Sequence, residues 1–175
     1  IKKLEEAIKK LHYDPLKTGI NADPSRREFL INFWDYHVMA VVAASQKMAV
    51  KYGGDKDIIY IGAIMHDVGL LYSRQKHDII GAVKSYNMLV KNGFSKKTAR
   101  AVSNIALCHR CKEKFPETLE EKIVTTADAI AHFSPAYYLG LAVIANEDHR
   151  GLMANNFEKL LSDFENKILF LGEKN

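Results

Sequence analysis

The sequence predicts an all-α protein, and three observations carry that reading. Apolar residues recur at helical spacing along the chain, helix start and stop signals punctuate it throughout, and no alternating apolar and polar run of strand length lies between the stops. With 175 residues and 47% hydrophobic content there is room for one ordinary globular core. A single domain over 1–175 is expected, since no internal repeat, low-complexity segment or linker divides the chain.

The elements follow in order. "IKKLEEAIKKLHYD" has helical periodicity, and its glutamates make it the first helix rather than a signal or transit peptide. In "PSRRE" (24–28), Ser25 and Glu28 form a capping box that opens a periodic stretch through Trp34 and His37 to Gly53-Gly54. Asp55 caps "KDIIYIGAIMHD", whose Ile58, Ile59, Ile61 and Met65 wrap much of the helix, as in a buried one, and Gly69 suits its C-terminal stop. The polar link "YSRQK" leads to a helix over "HDIIGAVKSYNMLVKNGF", Ser95 caps "KKTARAVSNIALCH", and "RCKEKFPE" is a loop. Thr118 and Glu121 form a second capping box for "LEEKIVTTADAIAHF". An apolar helix is expected after Ser134-Pro135, and "LMANNFEKLLSDFENKILFL" closes the chain as an amphipathic helix.

Composition excludes several classes of function. The longest nearly apolar runs, 38–44 and 135–145, fall well short of the roughly 20 residues needed to span a bilayer, so no membrane segment is predicted. Two cysteines, Cys108 and Cys111, are too few for a disulfide framework and suit a reducing compartment, which points to the cytoplasm. A net charge of +4, from 25 Lys and Arg against 21 Asp and Glu, favours anionic partners without the concentrated basic face of a nucleic-acid binder. A small phosphate-bearing molecule fits that balance better than DNA. The "CHRC" stretch (108–111) resembles half of a zinc site, but no other cysteine completes it, so a buried Cys108 and a loop Cys111 are expected.

The chemistry concentrates in "IMHDVG" (64–69), which puts an imidazole and a carboxylate where an apolar helix should run into the core. Neighbours on a helix point about 100° apart, so His66 and Asp67 reach one ion only at a helix end. An isolated His-Asp pair is more often two hydrogen-bonded neighbours, and His77-Asp78 in this same chain shows how readily the dipeptide arises. The company it keeps changes that reading. His37 in "WDYHVMAVVAA" and Asp128 in "IVTTADAIAHF" each set one ligand-type residue into a helix of Val, Ala and Ile, as ligands projecting from a bundle wall into its core would.

His37, then His66-Asp67, then a distant Asp128, in that order on an all-α chain, resembles the HD-domain superfamily of metal-dependent phosphohydrolases. The likeness covers roughly Phe33 to Phe133, and the N-terminal and C-terminal helices are expected to pack on that core. The resemblance implies that His37, His66, Asp67 and Asp128 bind a first divalent metal. It implies further that His77 and His109, in contexts like those of the two-metal, six-ligand members, bind a second metal with Asp67 shared. Iron, manganese, nickel, cobalt and magnesium all suit such mixed His and carboxylate ligation. His132, one turn after Asp128, is a residue expected behind the ligands, while His12 and His149 are read as surface residues.

The expected activity is hydrolysis of a phosphomonoester, phosphodiester or phosphoanhydride bond in a small, nucleotide-like substrate by a metal-activated hydroxide, with His66 and Asp67 at its centre. Some HD hydrolases carry a lysine three residues after the aspartate, where this chain has Leu70, so phosphate contacts fall to Lys76, Arg110 and Arg74. The Gly-Tyr-Pro motif of the cyclic di-GMP branch is absent. The missing lysine also leaves open a regulatory module that binds metal and nucleotide without turnover.

Overall fold

In the computed structural model, residues 1–14, 30, 32–134, 137 and 156–174 are described. They form helices, with no strand among them. The Ser25 and Glu28 capping box, His149, most of the segment after Ser134 and the start of the last amphipathic stretch lie outside the described residues.

Among the described residues, seven α-helices follow in sequence: α1 (Lys2–Tyr13), α2 (Met39–Tyr52), α3 (Lys56–Met65), α4 (His77–Lys91), α5 (Lys96–Cys108), α6 (Leu119–His132) and α7 (Phe157–Asn166). A π-helical turn, Trp34–Val38, enters α2, and 3₁₀ turns occupy Val68–Leu71 and Leu171–Glu173. The signals read from sequence act locally as expected. Asp55 accepts hydrogen bonds from the backbone of Asp57 and Ile58, Ser95 accepts one from Thr98, and Thr118 with Glu121 closes a reciprocal capping box. Each cap supplies partners to helix N–H groups that have none within the helix, typically a ~1 kcal/mol contribution. Gly53 ends α2 at φ +88°, a conformation that a residue with a Cβ adopts only under strain.

Helix α3 lies at the centre, packed against α1, α2, α5 and α6, and Ile59, Ile61, Ile64 and Met65 are all fully buried. At ~1.5–3 kcal/mol for each such side chain taken out of water, this helix anchors the core. Its C-terminus therefore delivers His66 and Asp67 into the middle of the molecule. Helices α4 and α5 pack on each other, with α5 against α3, while α2 packs on α6 and α7 lies on α6.

Three expectations need correction. His12 is buried, at 1% exposure, because it continues the Leu4 and Ile8 stripe of α1 onto Phe33 and Trp34. The last helix stops at Asn166 instead of running on to 171, and Thr126 captures the chain where it leaves: its hydroxyl donates to Lys167 O and accepts from Leu169 N, both at 3.1 Å. Gly69 does not itself stop α3, whose helical angles end at His66. It lies in a 3₁₀ turn pressed against α4, where an added Cβ would fall 1.9 Å from His77 O and 2.7 Å from Gly81 N.

Candidate metal centre

Three different backbone devices bring the polar side chains to one point. His37 sits in the π-helical turn, where Met39 N–H bonds to Trp34 O, and such turns carry one extra residue that re-aims a side chain. His66 is the last residue with helical angles after α3, and Asp67 then departs to φ −106°, ψ 14°. That departure lets two neighbours face the same space, as the helix-end argument required. Asp128 projects from α6 between Ala127 and Ala129.

Four atoms converge as a result. His37 Nε2 lies 3.2 Å from His66 Nε2, 3.1 Å from Asp128 Oδ1 and 3.5 Å from Asp67 Oδ2. His66 Nε2 is 3.2 Å from Asp67 Oδ2 and 3.7 Å from Asp128 Oδ1. Asp67 turns its other oxygen the opposite way: Oδ1 is 3.2 Å from His77 Nε2 and 3.1 Å from His109 Nε2. Two groups result, His37, His66, Asp67 and Asp128, and Asp67, His77 and His109, each of a kind that could hold a metal ion. The six residues picked from sequence are thus brought together, with one Asp67 oxygen in each group.

The chemistry of the donor set accords with that reading. His66 Nδ1 donates to Ala63 O at 2.8 Å, His77 Nδ1 to Arg74 O at 3.0 Å and His109 Nδ1 to Ala106 O at 2.7 Å. A neutral imidazole that spends its one N–H on a carbonyl turns a lone pair outward from Nε2, the tautomer a metal requires. Lone pairs and carboxylate oxygens then face one another in a buried space, which is stable only around positive charge. Donors ~2.1 Å from one ion and at right angles lie about 3 Å apart, close to the separations seen. Oδ1 of Asp67 and of Asp128 also lack any hydrogen-bond partner among the described residues. The residues fit a divalent ion.

Electrostatics agree. Burial pulls the His66 imidazole down, but the neighbouring Asp67 carboxylate outweighs it and raises His66 to about 9. Burial opposes charge on Asp67 and Asp128 too, yet His66 beside the first and Lys167 beside the second hold both well below the ordinary carboxylate range. Burial lowers His109, whereas at His77 the Asp67 carboxylate overcomes burial and raises the imidazole. The two carboxylates hold their negative charge in a buried space, and His66 and His77 rise in answer to it while burial keeps His109 low.

The surrounding residues divide unevenly. His132 stacks on His37 with ring centroids 4.9 Å apart, and its Nδ1 lies 2.9 Å from Asp163 Oδ2, so it does stand behind the candidate ligands. Arg110 reaches Asp78, a buried carboxylate, at 3.3 Å and is half-buried beside His77. Arg74 and Lys76 are exposed; Arg74 contributes only its carbonyl to His77, and Lys76 takes a left-handed φ of 51° before α4. Cys108 is buried, its thiol pushed up to about 12 by burial, and Cys111 is half-buried; neither joins a metal-type group among the described residues. Sequence reasoning missed Lys167, whose ammonium is ion-paired to Asp128 Oδ2 and also faces Asp163. The available signal was Leu160, Asp163 and Lys167 at helical spacing, two charges on an inward-facing stripe.

A scan of protein families matches residues 34–132 to the HD domain. No curated protein and no solved structure matches the chain. HD-domain proteins bind divalent metals and are generally metal-dependent hydrolases, and no described helix is long and apolar enough to cross a membrane.

Proposed function

Because the chain belongs to the HD-domain family, we propose that it is a two-metal phosphohydrolase acting on a small, nucleotide-like phosphoester or phosphoanhydride. The observation that carries this reading is the split of Asp67, with Oδ2 in the His37 group and Oδ1 in the His77 group. In this reading His37, His66, Asp67 and Asp128 hold one divalent ion and Asp67, His77 and His109 hold another. Bound there, such ions supply Lewis acidity, lowering the pKa of water and neutralising phosphoryl oxygens.

The protein's own part is to fix that chemistry in place. The carbonyls of Ala63, Arg74 and Ala106 hold three imidazoles in the ligating tautomer, so no reorganisation is needed when substrate arrives. Buried walls around His37 and His66 keep bulk water from that side. Arg110, anchored by Asp78 next to His77, is the cation best placed to meet a substrate phosphate, ahead of the exposed Lys76 and Arg74. Leu70, where relatives in several branches carry lysine, leaves that task open for it. Two cysteines, too few for a disulfide framework, suit a cytoplasmic setting.

The decisive experiment is a screen of nucleotides and generic phosphoesters with metal-stripped protein to which Mn²⁺ is added back. Metal-dependent turnover is expected. Metal binding without turnover of any phosphoester would replace this reading with the non-catalytic module.

A further inference from the structure

Lys167 is a buried cation to which the proposed reaction gives no task. It is 7% exposed, its Nζ is paired with Asp128 Oδ2, and it lies 3.7 Å from Asp163 Oδ1. Its placement is built rather than incidental. Thr126, two residues before Asp128, clasps the backbone on either side of the buried Ile168 through Lys167 O and Leu169 N. Asp163 is in turn held by His132 at 2.9 Å and by Lys159 at 2.7 Å.

Two buried carboxylates with no counter-charge would be costly, and a compact ammonium between them offsets that cost. Held this way, Lys167 is not available to a substrate phosphate. Resting on the proposal that the His37 group holds a metal, we infer that Lys167 is a positioning residue for that metal: a resident counter-ion that takes Asp128 Oδ2, leaves Oδ1 as the one oxygen offered to the ion, and keeps the site assembled before an ion arrives. The sign of its effect follows from Coulomb's law. A cation beside the site stabilises the metal-free protein and opposes a second cation, so its loss tightens metal binding, whereas loss of the Asp163 charge weakens it.

The test is Mn²⁺ binding to metal-stripped protein, read from the free-ion electron paramagnetic resonance signal, for wild type, Lys167→Met and Asp163→Asn. Lys167→Met is expected to bind at least about tenfold more tightly, with a lowered metal-free melting temperature that Mn²⁺ restores, and Asp163→Asn at least about tenfold more weakly. Opposite shifts distinguish charge balance from general damage, which weakens both. Both variants weakened, or both unchanged, overturns the inference. If Lys167→Met folds only with Mn²⁺ present, release into excess chelator is compared instead: slower release than wild type supports the inference, and equal or faster release overturns it. Failure of the wild type to bind Mn²⁺ overturns the metal reading itself, and this inference with it.

Discussion

The two groups that share Asp67 differ in their reach to solvent, which His77 alone provides. His37, His66 and Asp128 are at most 2% exposed, and Asp128 comes from the body of α6 with Lys167 and His132 behind it. His77 and His109 occupy helix ends, the first residue of α4 and the residue that caps α5; His109 is only 2% exposed, whereas the His77 side chain is 14% exposed beside Arg110. The deep group is closed off from solvent, and the outer group opens to it at His77 alone.

The largest effect tests what the two groups have in common. Asp67→Ala removes a candidate ligand from both, and elemental analysis is expected to fall from close to two metals per chain to near zero, with hydrolysis abolished and the helical circular dichroism retained. Full metal content in this variant would break the two-group description. Next come His77→Ala and His109→Ala, which touch only the outer group: close to one metal is expected to remain, with a rate loss of at least about 100-fold, since even partners behind metal ligands cost about 10–100-fold when removed. If wild type saturates at one metal and both variants match it in binding and rate, the outer group is not a metal site.

What could be read from the sequence follows the same division. His37, Asp128 and His66-Asp67 stood out because they break apolar helix faces or a buried helix at its end, whereas His77 and His109 look like ordinary helix-terminal residues and were singled out only by the family resemblance. Asp55, Ser95 and Thr118 were legible because a cap acts over two or three residues. What escaped depends on contacts distant in sequence or on backbone that no side-chain period records. The π-helical turn at Trp34–Val38 leaves no apolar signature, and Lys167 acquires its meaning only when α7 docks on α6. His12 was misread although its signal was local, since Leu4, Ile8 and His12 share one face of α1.

Gly69 links the groups and gives the third prediction. The turn after Asp67 packs so closely on α4 that a Cβ at Gly69 would overlap the backbone of His77 and Gly81. Because backbone cannot yield as a flexible side chain does, Gly69→Ala is expected to lower stability by about 3 kcal/mol, the upper end of ordinary overpacking costs. It should also displace α4, and His77 with it, while His37, His66 and Asp128 stay in place. Urea denaturation with metal analysis checks both parts. A variant as stable as wild type, or one that loses the deep metal first, would contradict the packing described.

The smallest effect comes from a histidine that is buried without an ion-pair partner, and it isolates what carboxylates do for the others. His12 is as buried as His66 but has no carboxylate beside it: its Nδ1 is 3.4 Å from Leu30 O, and Nε2 has no partner among the described residues. Burial therefore dominates and lowers its pKa from 6.5 to about 4, opposite to the rise at His66. The sign follows from proton counting. Between pH 6.5 and 4 the unfolded chain binds a proton at this residue and the folded chain does not, so stability falls as pH drops through that window and levels off below it. The full loss is about 3 kcal/mol, of which about 2 kcal/mol is expressed between about pH 7 and pH 5. His12→Leu keeps the packing against Phe33 and Trp34 and cannot titrate. Urea unfolding of metal-stripped wild type and variant at both pH values is expected to show the variant gaining about 2 kcal/mol on wild type at the lower pH, with the titration of groups that do not interact with His12 cancelling in the difference. An unchanged gap would mean that His12 finds a proton acceptor in the folded protein, and the contrast with His66 would be lost.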